Sequence, residues 1–231
     1  MKLLLCLLGV ALSVASAGSA RSRVDDPCIR PGEAPVHMKA SDGARIYGVE
    51  VGTGTTGVVL GHQVASDHCE LMDFARELAK RGYRALSIDF RDNGASTGGA
   101  ATRLDRDVAA AVARLRADGA RRIELVGASM GGTAVLTAAA GISPPVAGVV
   151  SLSGPARFFG LDALRAVRRS HVPVRFLVSK ADASFALDAR SMMRAASSKD
   201  KAIVRYPGSR HGSLLLGLPG AKAYVLAFLA A

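Results

Sequence analysis

An apolar strand, a serine set among glycines and an apolar helix follow one another without a break between Ile123 and Ala140. Ile123 to Ala128 reads as a strand apolar on both faces, as the middle of a parallel sheet requires. Met130 to Ala140 is apolar nearly all round, so its helix should be buried. Together the two elements point to a layered α/β core.

The rest of the chain alternates in the same sense. Val36 to Ala40 and Ile46 to Val51 flank the turn Ser41-Asp42-Gly43 and read as an antiparallel hairpin leading into the sheet. Gly57 to Gly61 is a short apolar strand, followed by an amphipathic helix from about Asp67 to Arg81 that Gly82 ends. Arg84 to Phe90 is the next strand, Arg91 to Ser96 a turn or loop, and Thr102 to Asp118 a helix. Val146 to Leu152, Val174 to Ser179 and Ala202 to Tyr206 supply three further strands, and Leu161 to Arg169, Leu187 to Ser197 and Gly220 to Leu229 three further helices. The expected fold is α/β, a mostly parallel central sheet flanked by helices on both faces. No repeat, low-complexity tract or linker divides it, so residues 36–231 are expected to be one domain behind an N-terminal extension at 21–35. The longest gap between strands in the second half holds one short helix, which leaves little room for a lid.

The first twenty residues read as an export signal. Lys2 precedes an apolar run from Leu3 to Val14, and small residues at Ala15, Ala17, Ser19 and Ala20 place cleavage after Ala17 or Ala20. The run is too short to span a bilayer, and neither Cys6 nor Cys28 has the setting of a lipid-acceptor cysteine, so release into a secreted or periplasmic location is expected. Loss of Lys2 takes the formal charge from +11 to +10. The arginines responsible are scattered over helix faces (Arg103, Arg106, Arg114, Arg116, Arg165, Arg168, Arg169) with no interleaved aromatics, which argues against a nucleic-acid partner. Cys28 and Cys69 remain in the mature chain. They either close a disulfide in an oxidising compartment or stay apart, with Cys69 a small buried hydrophobe on a helix.

Gly127-Ala128-Ser129-Met130-Gly131 is a G-x-S-x-G pattern between a buried strand and a buried helix, and that context gives it weight. A serine on so sharp a turn needs Gly127 and Gly131 beside it, because larger side chains would collide with the elbow. The turn lifts the hydroxyl above the sheet's carboxyl edge, and the helix N-terminus offers amide donors to developing negative charge, with Met130 giving one oxyanion-hole N–H. A serine hydroxyl is a poor nucleophile without a base. His211 follows the last strand in the loop Pro207 to Gly212 and can reach back over the sheet, whereas His37, His68 and His171 read as surface or packing residues. Asp182, just past the end of a strand and between serine and histidine in chain order, is the carboxylate that would orient the base, with Asp162 and Asp188 as rivals on helices.

These features occur in the order of the α/β-hydrolase family, which the chain resembles over nearly its whole mature length: the apolar strand with His62, the loop Asp89 to Ser96, the elbow, Asp182 and His211. The resemblance implies Ser-Asp-His catalysis, with the backbone N–H of Val64 beside that of Met130 in the oxyanion hole. Two positions depart from it. Many members carry His-Gly where this chain has His62-Gln63, and Gly-His where it has Asp92-Asn93. Gln63 either narrows the acyl pocket or donates a side-chain hydrogen bond, and His62 is expected to be structural.

The machinery implies two-step acyl transfer on a small-molecule ester or acyl substrate, with no metal, no organic cofactor and no membrane insertion. There is no zinc-type His/Cys cluster and no phosphate-cradling loop with its lysine. An esterase or lipase-like enzyme is the leading expectation. A peptidase or thioesterase on the same scaffold is the enzymatic alternative, and a non-catalytic binding module the structural one.

Overall fold

The computed structural model describes residues 26–99 and 101–231. The expected export signal, with its cleavage points after Ala17 or Ala20, lies outside the described residues. In chain order the elements are β1 (Ala34–Lys39), β2 (Arg45–Val51), β3 (Thr56–Gly61), α1 (Met72–Lys80), β4 (Arg84–Ile88), α2 (Leu104–Ala117), β5 (Arg122–Ala128) and α3 (Met130–Ala139). There follow β6 (Gly148–Leu152), β7 (Arg157–Phe158), β8 (Leu161–Asp162), α4 (Ala163–Arg169), β9 (Val174–Ser179), α5 (Ala183–Ala195), β10 (Lys201–Tyr206) and α6 (Ala221–Ala230).

Eight strands form one sheet in the order β1-β2-β4-β3-β5-β6-β9-β10, antiparallel at the β1–β2 and β2–β4 pairings and parallel from β4 to β10. The expected hairpin therefore lengthens one edge of a parallel sheet. Each face carries its own apolar core. Leu104, Val108, Val112 and Leu115 of α2 pack with Ala134 and Val135 of α3, Val167 of α4 and Met192 of α5 on one side. Met72, Phe74 and Leu78 of α1 pack with Val225 and Phe228 of α6 on the other. Strand β5 feeds both, Ile123 and Leu125 to the first and Val126 and Ala128 to the second, which accounts for its apolar character on both faces.

Several boundaries differ from the sequence expectation. The helix expected from Asp67 is split into a 3₁₀ turn, His68–Leu71, and α1. Asp67 caps the N–H of Cys69, while the N–H of His68 is drawn to Asp89 and its carbonyl accepts from the Ser87 hydroxyl, bonds that an α-helix from Asp67 would compete with. The stretch read as a helix from Leu161 opens with the β7–β8 hairpin, and α4 starts at Ala163 with Asp162 accepting from the N–H of Arg165. That gap thus holds a hairpin as well as a helix. Helix α5 begins directly after Asp182, four residues before the expected start at Leu187, and a further 3₁₀ turn, Gly212–Gly217, lies between the expected histidine loop and the last helix.

Cys28 and Cys69 are joined, S–S 2.07 Å and Cα–Cα 5.6 Å, pinning the N-terminal segment to the 3₁₀ turn. Beside this bridge, the buried imidazole of His68 sits between two carboxylates, Nδ1 2.8 Å from Asp89 and Nε2 2.9 Å from Asp26. Burial works against its charge, and the hydrogen bond and charge of Asp89, with the charge of Asp26, outweigh burial and raise its pKa. Of the two expected roles, His68 thus takes the packing one, buried between two carboxylates.

At the other end of β5, the buried carboxyl of Glu124 keeps one oxygen on Arg122 while the other has no hydrogen-bond partner among the described residues. Burial pushes its pKa up to about 7 from 4.5, Arg122 offsetting only part of the effect. The folded state thus holds a proton that the unfolded chain releases, so stability falls as pH rises from about 4.5 to about 7 and is flat above, a loss of roughly 3 kcal/mol. Glu124→Gln, which cannot ionise, should gain stability relative to the parent by about that amount between pH 4.5 and 8. Urea unfolding of both proteins at the two pH values measures it, and a pH-independent difference would refute the assignment.

Candidate active site

The chain leaves β3 toward α1 on one face and β5 toward α3 on the other, so the loops after these neighbouring strands diverge at their carboxyl ends, the switch point of an open α/β sheet where ligands are bound. Ser129 stands at this point. Its backbone is at φ 47° and ψ −114°, its N–H is held by the carbonyl of Leu152 at 2.8 Å, and its carbonyl accepts from the N–H of Thr133. A non-glycine residue with positive φ stores strain that its surroundings must hold. Those surroundings are the two expected glycines. A Cβ on Gly127 would lie 2.2 Å from the carbonyl oxygen of Gly131, and one on Gly131 would lie 2.3 Å from that of Gly61. As the first residue of α3, Met130 has an N–H that no carbonyl of its own helix can take.

The loops after β9 and β10 run side by side. The N–H of Lys180 donates to the carbonyl of Tyr206 at 2.8 Å, that of Ala181 to Gly208 at 3.0 Å, and the Ser179 hydroxyl to Arg210 at 2.7 Å. This zipper brings Asp182 to His211, whose Nδ1–H donates to the carboxylate at 2.9 Å and 3.2 Å. The ring of Phe185 lies 4.2 Å from the imidazole, centroid to centroid. The tautomer is thereby set, with the proton on Nδ1 and Nε2 left as acceptor. The 3₁₀ turn that begins at Gly212 packs against β5, β6 and β9, and the Cβ position of Gly212 is 3.7 Å from the Ala128 side chain, one residue before Ser129. The Asp182–His211 pair and the serine elbow therefore lie at the same carboxyl edge of the sheet, and no hydrogen bond joins the Ser129 hydroxyl to His211 among the described residues. Of the rivals, Asp162 caps α4 and pairs with Arg157, and Asp188 accepts the N–H of Ala156. His37 packs against Tyr47 with the two rings tilted, and His171 is exposed.

Beside the elbow, the loop after β3 is held peptide by peptide. The buried His62 donates Nδ1–H to the carbonyl of Gln63 at 2.7 Å and accepts the N–H of Phe90 on Nε2 at 3.0 Å, while burial lowers its pKa and keeps it neutral. Because an amide is planar and trans, fixing the Gln63 carbonyl aims the Val64 N–H in the opposite direction. His62 is structural, as expected. The departure at Gln63 places its carboxamide against Gly212, where Oε1 is buried with no hydrogen-bond partner among the described residues. At the second departure Asp92 takes φ 60°, a conformation glycine adopts without cost. Two contributors had no motif to announce them. Ser179 ties β9 to the histidine loop, and Glu70 bonds both the loop after β3 and the residue two beyond His211.

The family model described as the alpha/beta hydrolase fold matches residues 58–200. Among solved structures, the esterase Pf2001 of Pyrococcus furiosus is 18% identical at TM-score 0.75, over 86% of this chain and 91% of its own. An esterase from Exiguobacterium antarcticum is 15% identical at TM-score 0.72, over 86% and 100%. A monoacylglycerol lipase of Paleococcus ferrophilus is 17% identical at TM-score 0.67, over 80% and 98%. At these identities the likeness is one of fold. No curated protein matches the sequence.

Proposed function

Because the chain belongs to the α/β-hydrolase fold family, we propose that it is an extracytoplasmic serine hydrolase that cleaves carboxylic esters through Ser129, His211 and Asp182. The observation that carries this reading is the Nδ1–H···carboxylate pair of His211 and Asp182, in a loop whose next residue, Gly212, packs on the residue before a serine at positive φ. The leader-like N-terminus and the Cys28–Cys69 bridge support a location outside the cytoplasm. No helix among the described residues is long and apolar enough to cross a membrane.

In the reaction, Ser129 Oγ attacks the ester carbonyl carbon as His211 Nε2 takes the hydroxyl proton, and Asp182 stabilises the imidazolium that forms. The carbonyl oxygen becomes an oxyanion received by the N–H groups of Met130 and Val64. Collapse breaks the bond to the alkoxy group, which leaves as alcohol with the proton from His211. Water, deprotonated by His211, then attacks the acyl-serine; the acid departs and the proton returns to Ser129. Val64 and Leu214, each more than half exposed, are large apolar side chains within three residues of His62 and His211 respectively. They favour a substrate with an apolar acyl or alkyl part.

The test pairs p-nitrophenyl esters of short and long acyl chains with a fluorophosphonate probe. The protein should hydrolyse the esters and label at Ser129, and Asp182→Asn should label far more slowly. Turnover of aminoacyl amides or acyl thioesters in preference to every ester would move the reading to the peptidase or thioesterase alternative. An unlabelled serine and no turnover would leave a binding protein.

A further inference from the structure

We propose that Glu70 is a positioning residue that locks the loop carrying one oxyanion donor to the loop carrying the base, an inference that rests on the serine hydrolase reading above. Its two carboxylate oxygens are divided between these loops. Oε2 accepts the backbone N–H of Gln63 at 2.9 Å, and Oε1 accepts the hydroxyl of Ser213 at 2.5 Å, across 143 residues of chain. Ser213 lies two residues after His211, and Gln63 immediately precedes Val64.

The geometry at Gln63 makes this more than a surface tie. The peptide on its amino side is held by Glu70 through its N–H, and the peptide on its carboxyl side by His62 through the Gln63 carbonyl. Only when both planes are pinned is the direction of the Val64 N–H fixed. His62 is itself anchored by the N–H of Phe90, so the bond to Glu70 supplies the second of the two backbone restraints on Gln63.

Glu70 can serve as an anchor because its own turn is braced from several directions. Its N–H bonds the Asp67 carbonyl, Asp67 caps the turn at Cys69, and Cys69 is bridged to Cys28. On the residue before, the His68 backbone is held by Asp89 and Ser87. A carboxylate on such a turn accepts two donors from loops that no β-pairing joins. It thereby sets the distance between the place where negative charge develops and the imidazole that carries the proton. A stabilising donor must sit within hydrogen-bond reach of the oxyanion, and misplacing it costs rate rather than substrate binding.

Three variants test this. Glu70→Ala removes both bonds and should lower kcat for p-nitrophenyl ester hydrolysis about 10- to 100-fold with KM within about threefold. Its fluorophosphonate labelling rate should fall in parallel. Glu70→Gln can still accept from Gln63 through its carbonyl and donate to Ser213 through its amide, so it should keep kcat within about fivefold of the parent. Ser213→Ala cuts one arm without touching the turn, and should lower kcat about three- to tenfold at unchanged melting temperature. It also carries the test if Glu70→Ala does not fold. A purely structural role predicts that Glu70→Ala loses melting temperature while its folded fraction labels at the parent rate, and that result overturns the proposal. An unchanged kcat in Ser213→Ala overturns it as well. If the parent protein neither labels nor turns over esters, it is the serine hydrolase reading that has failed, and the two failures are thus told apart.

Discussion

Ser129→Ala and His211→Ala should each lower kcat for ester hydrolysis by about 10⁶-fold, and the double variant should be no slower than either single one. The non-additivity follows from the shared step. Without the base the hydroxyl keeps its proton, and without the hydroxyl the base has nothing to activate, so either loss removes the same nucleophile. On the proposed mechanism, what remains is the stabilisation of the oxyanion by the amides of Met130 and Val64 acting on a water molecule. Asp182→Asn should cost less, about 10⁴-fold, through a definite mechanism. An asparagine amide can point its NH₂ at Nδ1, which then becomes an acceptor and moves the ring proton to Nε2, the atom that must receive the serine proton. The single variants should all fold, since His211 is partly exposed, Ser129 loses only a hydroxyl and Asp182→Asn keeps its size. His171→Ala, on an exposed histidine, is the matched control and should leave kcat unchanged. Additive losses, or an active His211→Ala, would mean that the three side chains do not act as a unit.

Gly131→Ala should be among the most damaging single-methyl changes available in this protein, with a stability loss of more than about 4 kcal/mol. The added carbon would lie 2.3 Å from the carbonyl oxygen of Gly61 and 2.7 Å from that of His62. Both are backbone atoms at the end of a central strand, and neither can swing aside as a flexible side chain would. Relief requires α3 to move away from β3, and α3 carries the elbow at its first turn, so any protein that does fold should have lost the positive φ of Ser129 and with it the activity. Gly141→Ala is the comparison. Its nearest neighbour would be the Ala138 carbonyl at 3.9 Å, which is ordinary contact, and its stability should stay within about 1 kcal/mol of the parent. Urea unfolding of the two variants beside the parent gives both numbers.

The elbow was legible because everything that makes it is local. A strand buried on both faces, a helix buried all round and glycines at the two colliding positions are properties of fourteen consecutive residues, 127 to 140, and the strand before them. The alternation that orders the sheet is local in the same way, and Asp182 and His211 could be singled out by their place just beyond strands. Boundaries set by side chains from elsewhere were not legible. The start of α5 at Ala183 and the 3₁₀ turn at His68 depend on Asp89, Ser87 and the loop after β10, none of them neighbours in sequence.

What the amino-acid sequence determined alone was the layered α/β architecture and the strained serine at its centre, since hydrophobic period and glycine stereochemistry act over a few residues. The tertiary structure decided which groups meet: Cys28 with Cys69, His68 between Asp26 and Asp89, and Glu70 with both Gln63 and Ser213. Hydrogen bonds and ion pairs form only within about 3 to 4 Å. Whether residues 143 positions apart come that close is set by how strands order and loops cross, a matter on which composition, period and motif are silent.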